Sequence, residues 1–302
     1  MPRGKWTAAR DMPDQSGRVA VVTGSNTGIG LETVAALARR GAHVVLACRD
    51  QAKGRSAAAG IAAGGVSGTL DVMVLDLADL ASVRVFSAAF RDGFDRLDLL
   101  INNAGVMWPP ASKTVDGFEL QFGTNHLGHF ALTARLLDRL RKTSGSRVVT
   151  VSSVSHRFGT IDFDDLHWES RKYHPNRAYG QSKLANLLFA YELQRRLDRA
   201  GIETMSVAAH PGYTGTDLQR YSGFLRLLNP FVAMPTWRGA LPTLYAATAS
   251  GTEPGGYYGP DGFGELRGYP TRVGSSSEST DEAVAAKLWQ VSEGLVGLEF
   301  AL

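Results

Sequence analysis

Short, β-branched apolar runs at 19–23, 43–47, 70–75, 97–101, 147–152 and 203–209 alternate with stretches of helical spacing at 29–40, 51–63, 80–91, 118–140 and 176–200. Continuously apolar runs of this length read as strands covered on both faces, and the amphipathic stretches between them supply the cover. Strand–helix–strand crossovers are right-handed. The pattern therefore predicts an α/β fold: one single-domain, Rossmann-like doubly wound parallel sheet with helices on both faces. No repeat or linker divides the chain, so residues 1–16 form a polar N-terminal arm and 17–302 one domain. That domain carries an irregular region at 213–237 and a C-terminal tail at 255–302. The Gly-, Pro-, Tyr- and Ser-rich stretch 255–279 predicts loop with one short strand at 257–258, followed by a helix near 282–293.

Composition excludes several classes of function. The 302 residues are 44% hydrophobic and 20% charged, an ordinary globular balance. Lys and Arg number 32 against 29 Asp and Glu, for a net charge of +3. These charges are interleaved, which argues against a nucleic-acid partner. The one cysteine, Cys48, leaves no intrachain disulfide and no cysteine metal cluster, in keeping with a reducing compartment. Residues 1–16 lack the apolar core of a signal peptide, and the longest apolar stretch, near 184–190, is far shorter than a membrane span. The expectation is a cytoplasmic protein with no membrane span.

The first strand runs into Thr23-Gly24-Ser25-Asn26-Thr27-Gly28-Ile29-Gly30 and then a helix. Glycines there let the backbone turn sharply and approach a pyrophosphate, while the helix N-terminus offers N–H groups and a partial positive charge. The spacing is G-x-x-x-G-x-G rather than the general dinucleotide G-x-G-x-x-G. The second strand ends Ala47-Cys48-Arg49-Asp50. A carboxylate at that strand end receives the ribose 2′-hydroxyl of NAD, whereas a nearby arginine suits a 2′-phosphate. Cys48 followed by Arg49 favours NADP(H) and leaves NAD(H) open. Asp76 and Leu77, after the third strand, are placed to meet an adenine ring; an N-cap role for Asp76 is equally open.

Candidate reactive groups follow. Tyr179 and Lys183 lie four residues apart at the start of a helix and share one face. A phenol of ordinary pKa about 10 is a poor acid or base at neutral pH, and an adjacent ammonium is expected to bring it into range. A lone Tyr-x-x-x-Lys is common. It gains weight from Asn102-Asn103-Ala104-Gly105 after the fourth strand and Ser152-Ser153 after the fifth.

Together with Asn125 and Pro211-Gly212, these motifs resemble the short-chain dehydrogenase/reductase family over nearly the whole chain from Gly17 to about 250. Asp116-Gly117-Phe118-Glu119, Asn125-His126-Leu127-Gly128-His129-Phe130 and Leu288-Trp289 resemble its retinol-dehydrogenase-like branch, and Tyr257-Tyr258-Gly259-Pro260 its bacterial members. The resemblance implies that Tyr179 gives or takes the proton of a substrate oxygen. Lys183 would tune it and hold the nicotinamide ribose. Ser153, rather than Ser152, would bind the carbonyl, and Asn125 would support a water relay behind Lys183. Asn103, Ala104 and Gly105 join the cofactor wall, and Pro211, Gly212 and Thr214 would meet the carboxamide. The helices at 118–140 and 176–200 resemble faces that build a homodimer or homotetramer.

Two departures stand out. The interval from Ser153 to Tyr179 is long and carries Asp162, Asp164, Asp165, His167 and Trp168, and the N-terminal anchoring helix of some branch members has no counterpart in 1–16. His126 and His129 are set aside as metal ligands because no third ligand stands at useful spacing. His156 and His174 flank the candidate site and read as surface loop histidines, with a substrate contact the alternative, and His210 reads as structural. Phe224, Leu225, Leu227, Leu228, Phe231, Val232, Met234 and Trp237 suit either a lid over a lipophilic substrate or plain core, and Met107 and Trp108 favour an apolar carbonyl compound. The sequence thus predicts an NADP(H)-dependent oxidoreductase of a lipophilic alcohol or carbonyl compound. The rivals are a non-catalytic dinucleotide-binding sensor or scaffold and a sugar-nucleotide epimerase, the latter disfavoured by the glycine spacing.

Overall fold

The computed structural model describes residues 5–215 and 233–302. Strands β1 (Val19–Thr23), β2 (His43–Cys48), β3 (Thr69–Val74), β4 (Leu99–Asn102), β5 (Arg147–Val151), β6 (Met205–Ala209), β7 (Tyr257–Pro260) and β8 (Pro270–Arg272) form one sheet. Their order is β3-β2-β1-β4-β5-β6-β7-β8. Pairings from β3 through β7 are parallel, and β8 returns antiparallel beside β7. The helices in chain order are α1 (Ala8–Asp11), α2 (Gly28–Arg39), α3 (Gln51–Ala63), α4 (Leu80–Gly93), α5 (Leu120–Phe122) and α6 (Gly128–Arg141). They continue with α7 (Pro175–Arg199), α8 (Thr236–Gly239), α9 (Leu241–Thr248) and α10 (Glu282–Val296).

The period-two geometry of a strand divides the core into two layers. Val19 and Val21 of β1 face Phe86, Phe130, Leu188 and Trp289 on one side of the sheet. Ala20 and Val22 face Leu37, Leu244 and Tyr258 on the other. Each large side chain removed from water in these layers contributes roughly 1.5–3 kcal/mol before the entropy of ordering it is counted. The chain leaves β1 toward β2 on one side and later places β4 on the other. That reversal opens a crevice at the carboxyl ends of β1 and β4.

Three features depart from the sequence expectation. The helix expected over 118–140 is interrupted: Glu119 caps α5 by accepting the N–H groups of Gln121 (2.9 Å) and Phe122 (2.7 Å), and a π-turn at Gly123–Leu127 precedes α6. Gly128 at the start of α6 has no room for a Cβ, which would collide with the Leu77 carbonyl. The short strand expected at 257–258 extends to Pro260 because β8 pairs with it. Finally, α9 gives no amphipathic signal because Leu241–Leu244 and Ala246–Thr248 are buried around most of its circumference. Residues of the N-terminal arm pack on this side: Trp6 meets Tyr245 edge-on at 5.3 Å, and Met12 is buried. Of the apolar region after Tyr213, Phe224, Leu225, Leu227, Leu228, Phe231 and Val232 lie outside the described residues. Met234 is buried and Trp237 is 45% exposed.

Candidate active site

The glycine turn forms one wall of a groove of about 660 Å³ at the crevice, large enough for a dinucleotide-sized ligand. Gly24 (φ +62°) and Gly28 (φ +57°) occupy the left-handed region that side chains disfavour. A Cβ at Gly24 would lie 2.9 Å from Ala104 Cα, and one at Gly30 would collide with the Gly24 carbonyl. These glycines therefore serve close backbone packing as well as ligand approach. Asn26, Gly28, Ile29 and Gly30 line this wall, and Asn103, Ala104 and Gly105 line the facing one. Ser25 is different. Its side chain is buried, with the hydroxyl unpartnered among the described residues, and it is not among the residues that line the groove.

At the far end, the rim carries Arg49 and Asp76, whose charged atoms are 3.9 Å apart, with the Arg49 side chain 71% exposed. Asp76 accepts the Ala78 N–H at 2.9 Å while the N-cap of α4 is Asp79, so Asp76 serves a turn and the groove together. Asp50 caps α3 through the Lys53 N–H, at 3.0 Å. Lys53 and Ser56, absent from the sequence reading, also line the groove one turn into α3. Their signal was available in the helical spacing after Asp50.

Ser153, Tyr179 and Lys183 converge where β5 meets α7. The 3₁₀ segment Val154–Phe158 lies directly on α7, because Gly159 and Gly180 face each other without side chains; a Cβ on Gly180 would lie 3.0 Å from Ser155 O. Ser152 Oγ donates to the Lys183 carbonyl at 2.8 Å, fixing the register of the helix against the strand end. Lys183 Nζ donates to Val151 O at 3.1 Å. Tyr179 and Lys183 are buried, with the ammonium 5.6 Å from the phenol ring centroid.

Burial pushes the Tyr179 phenol up to about 12, with the neighbouring Ser153 side chain pulling the other way. Ser153 Oγ itself accepts the Ser155 N–H at 3.1 Å. Burial also lowers Lys183 to about 8. The expected lowering of the phenol pKa by its lysine neighbour is not seen: burial governs both groups, and only Ser153 opposes it at Tyr179. Tyr179 is held as a protonated acid, beside a lysine that titrates near neutrality.

Asn125 is buried in the π-turn. Its side chain donates to Val106 O (3.0 Å) and Ser182 Oγ (2.9 Å) and accepts from Val106 N (2.8 Å), while its main-chain carbonyl accepts from His129 Nδ1 (2.9 Å). Beyond β6, Gly212 has φ +66°, and Thr214 Oγ1 donates to Pro211 O at 3.0 Å. His210 is buried against Glu265, with Nε2 to Oε2 2.9 Å, in the structural role expected of it. His156 corrects the loop assignment. It is buried, donates from Nδ1 to Ser153 O at 2.7 Å, and accepts the Ser276 N–H at 3.2 Å, so the C-terminal tail braces the Ser153 turn. His174 is exposed ahead of α7.

Sequence reasoning also missed Gln121. It accepts the N–H of Trp108, a residue with φ +57°, and donates to Tyr173 OH and Pro175 O, tying the wall after Gly105 to the long interval before Tyr179. His126 and His129 point to different partners, Ser292 and Thr23.

Burial lowers His126 to about 3 and His129 to about 4. Their folded values lie below the ordinary 6.5, so the neutral rings stabilise the fold above that pH, and the contribution is lost as pH falls through the folded values. At His129 the full shift corresponds to roughly 3 kcal/mol. Urea unfolding is expected to show stability decreasing from about pH 6.5 toward pH 4, with a shallower dependence in His129→Asn. An unchanged slope in that variant would remove His129 as a source of the acid sensitivity.

Residues 18–223 match the family model described as short chain dehydrogenase, and the chain belongs to that short-chain dehydrogenase/reductase family, in its retinol-dehydrogenase-like branch. It is an oxidoreductase of alcohol and carbonyl groups, which sets aside the non-catalytic and epimerase readings. Among its relatives, Retinol dehydrogenase 13 of Homo sapiens is 43% identical over 300 residues, covering 94% of this chain and 86% of that one. Retinol dehydrogenase 12 of Mus musculus is 45% identical over 289 residues, covering 94% and 88%. A crystal structure of an uncharacterized protein from Mycobacterium Paratuberculosis superposes with a TM-score of 0.84 at 48% identity, covering 99% of this chain and 100% of that one. The Pseudomonas aeruginosa RhlG/NADP active-site complex superposes at 0.65 with 25% identity, covering 81% and 94%. Members of the family bind NAD(P). Among the described residues, no helix is long and apolar enough to cross a membrane.

Proposed function

We propose that this chain is an NADP(H)-dependent dehydrogenase/reductase of lipophilic alcohols and carbonyl compounds, with Tyr179 as general acid/base. The observation that carries this reading is the placement of half-buried Ser153 beside buried Tyr179 and Lys183, on the same carboxyl edge of the sheet as the dinucleotide-sized groove. The residues fit the cofactor. Glycines leave no Cβ in the turn, α2 directs its N-terminus there, and the facing Asn103–Gly105 wall completes a cradle. When bound, the nicotinamide supplies or accepts the hydride.

The chain's own groups do the rest. Ser153 Oγ holds the substrate oxygen and stabilises negative charge developing on it. The Tyr179 hydroxyl, kept protonated by burial, gives its proton to that oxygen in reduction and recovers it in oxidation. Lys183, lowered to about 8, is poised to replenish the proton and to hold ribose hydroxyls. Asn125 keeps this platform in register through Ser182, and Pro211, Gly212 and Thr214 bound the carboxamide end.

Preference for NADP(H) is supported by a neutral Cys48 at the end of β2 with Arg49 and Lys53 on the rim. Arg49→Ala is expected to weaken NADPH about tenfold more than NADH, the value of one charge-assisted hydrogen bond at an exposed site. Equal losses for both would overturn the 2′-phosphate assignment. A lipophilic substrate is supported by the relatives named for retinol and by the apolar Met107–Trp108 pair that follows the Asn103–Val106 wall of the groove in the chain. The test is the nicotinamide absorbance assay across aldehydes, ketones and retinol with each coenzyme. Turnover favouring NADPH and apolar substrates is expected, whereas preference for NADH or for small polar alcohols would overturn the reading.

A further inference from the structure

His129 is buried in the first turn of α6, and both ring nitrogens have partners that settle its proton. Nδ1 lies 2.9 Å from the Asn125 carbonyl, which can only accept, so Nδ1 carries the hydrogen. Nε2 of the neutral ring is then an acceptor, 2.8 Å from Thr23 Oγ1. Thr23 Oγ1 already accepts the N–H groups of Asn103 and Ala104, each at 2.9 Å, so its lone pairs are filled, and its one proton goes to His129 Nε2 at 2.8 Å rather than to the Ile101 carbonyl at 3.4 Å. Every donor has an acceptor in this arrangement. The other tautomer would bring a third N–H donor to Thr23 Oγ1 and take this donor away from Asn125 O.

These bonds cross the molecule's functional centre. Thr23 ends β1 immediately before Gly24, and Asn103 and Ala104 form the facing wall of the groove. Asn125 in turn donates to Ser182 Oγ, which donates to the Tyr179 carbonyl one turn from Lys183. His129 also lies near enough to Lys183 to feel its charge. We propose that His129 is a positioning residue that couples the dinucleotide cradle to the Tyr179–Lys183 helix through a Thr23–His129–Asn125–Ser182 chain of hydrogen bonds. This inference rests on the dinucleotide-dependent reading of the groove. His129 touches no reacting atom. It fixes the separation between the groove walls and the proton-handling pair.

A purely structural histidine would cost stability and leave the folded fraction unchanged in binding and turnover. The chain instead predicts a joint loss. His129→Asn keeps a donor near Asn125 O but withdraws from Thr23, and Thr23→Val removes the hydroxyl at nearly constant shape. NADPH affinity by fluorescence titration and kcat at saturating coenzyme are each expected to fall about tenfold in either variant, the value of one buried hydrogen bond. The double variant should match the worse single, because both break one link, and Thr23→Ser should restore wild-type values. Wild-type affinity and kcat in His129→Asn, or losses that multiply in the double variant, would overturn the coupling. Should the variants fold poorly, ¹⁵N NMR of the wild-type ring decides: protonated Nδ1 with bare Nε2 supports the chain, and the opposite tautomer overturns it. A wild-type protein that fails to bind NADPH would remove the dinucleotide reading itself, which a failure confined to the variants leaves standing.

Discussion

Tyr179→Phe is expected to bind NADPH as the wild type does while kcat falls by roughly 10²–10⁴-fold, the usual worth of a positioned acid/base. Phenylalanine keeps the ring and its buried packing, so the loss isolates the hydroxyl. Because burial holds the phenol near 12, the wild-type group stays protonated through neutral pH and carbonyl reduction needs no prior proton uptake. The basic limb of activity should instead follow Lys183, near 8, with reduction declining as pH rises through that value. Steady-state kinetics with a titrated coenzyme check both statements. A variant retaining more than about a tenth of wild-type kcat would show that the proton comes from elsewhere.

The second large effect concerns Gly30. A Cβ there would collide with Gly24 O, lie 2.7 Å from Asn103 Nδ2 and stand 2.9 Å from Ser25 Cα. The turn and the facing wall must part to admit it. Overpacking of this kind costs about 1–3 kcal/mol, and since the displaced atoms form the cradle, Gly30→Ala should weaken dinucleotide binding about 10- to 100-fold. Gly60→Ala is the matched control: that glycine lies in α3 with nothing within 4 Å, and alanine there should stabilise the protein by up to about 1 kcal/mol with no change in binding. Isothermal titration with NADPH and thermal melts of both variants supply the comparison. Unchanged affinity in Gly30→Ala would mean that the turn does not hold the coenzyme.

Much of the architecture was legible because the determining signals are local. The six apolar runs of the sheet core needed no tertiary knowledge, and each appears as a strand within two residues of its expected start. What escaped was set by contacts distant in sequence. The π-turn at Asn125 arises where Gly123 packs against Thr114 and Gly128 against Leu77, neither visible as a periodicity. His156 looked like a loop residue, yet Ser276, 120 positions away, completes its hydrogen bonding. The Tyr179–Lys183 spacing was read correctly as one helical face, but the electrostatic outcome was not, because burial depth is a property of the packed whole. Gln121 was missed for a related reason: its importance lies in holding Trp108 in a left-handed backbone conformation, and sequence spacing carries no record of that geometry.

Reaction with coenzyme deuterated at the transferring carbon is the most direct test of the account. Incubated with NADPH labelled on each face in turn and an apolar aldehyde, the wild type should deliver deuterium from one face only to the carbinol carbon, and Tyr179→Phe should do so far more slowly. Product without label from either face, or equal rates in the two proteins, would contradict hydride transfer assisted by the Tyr179 proton.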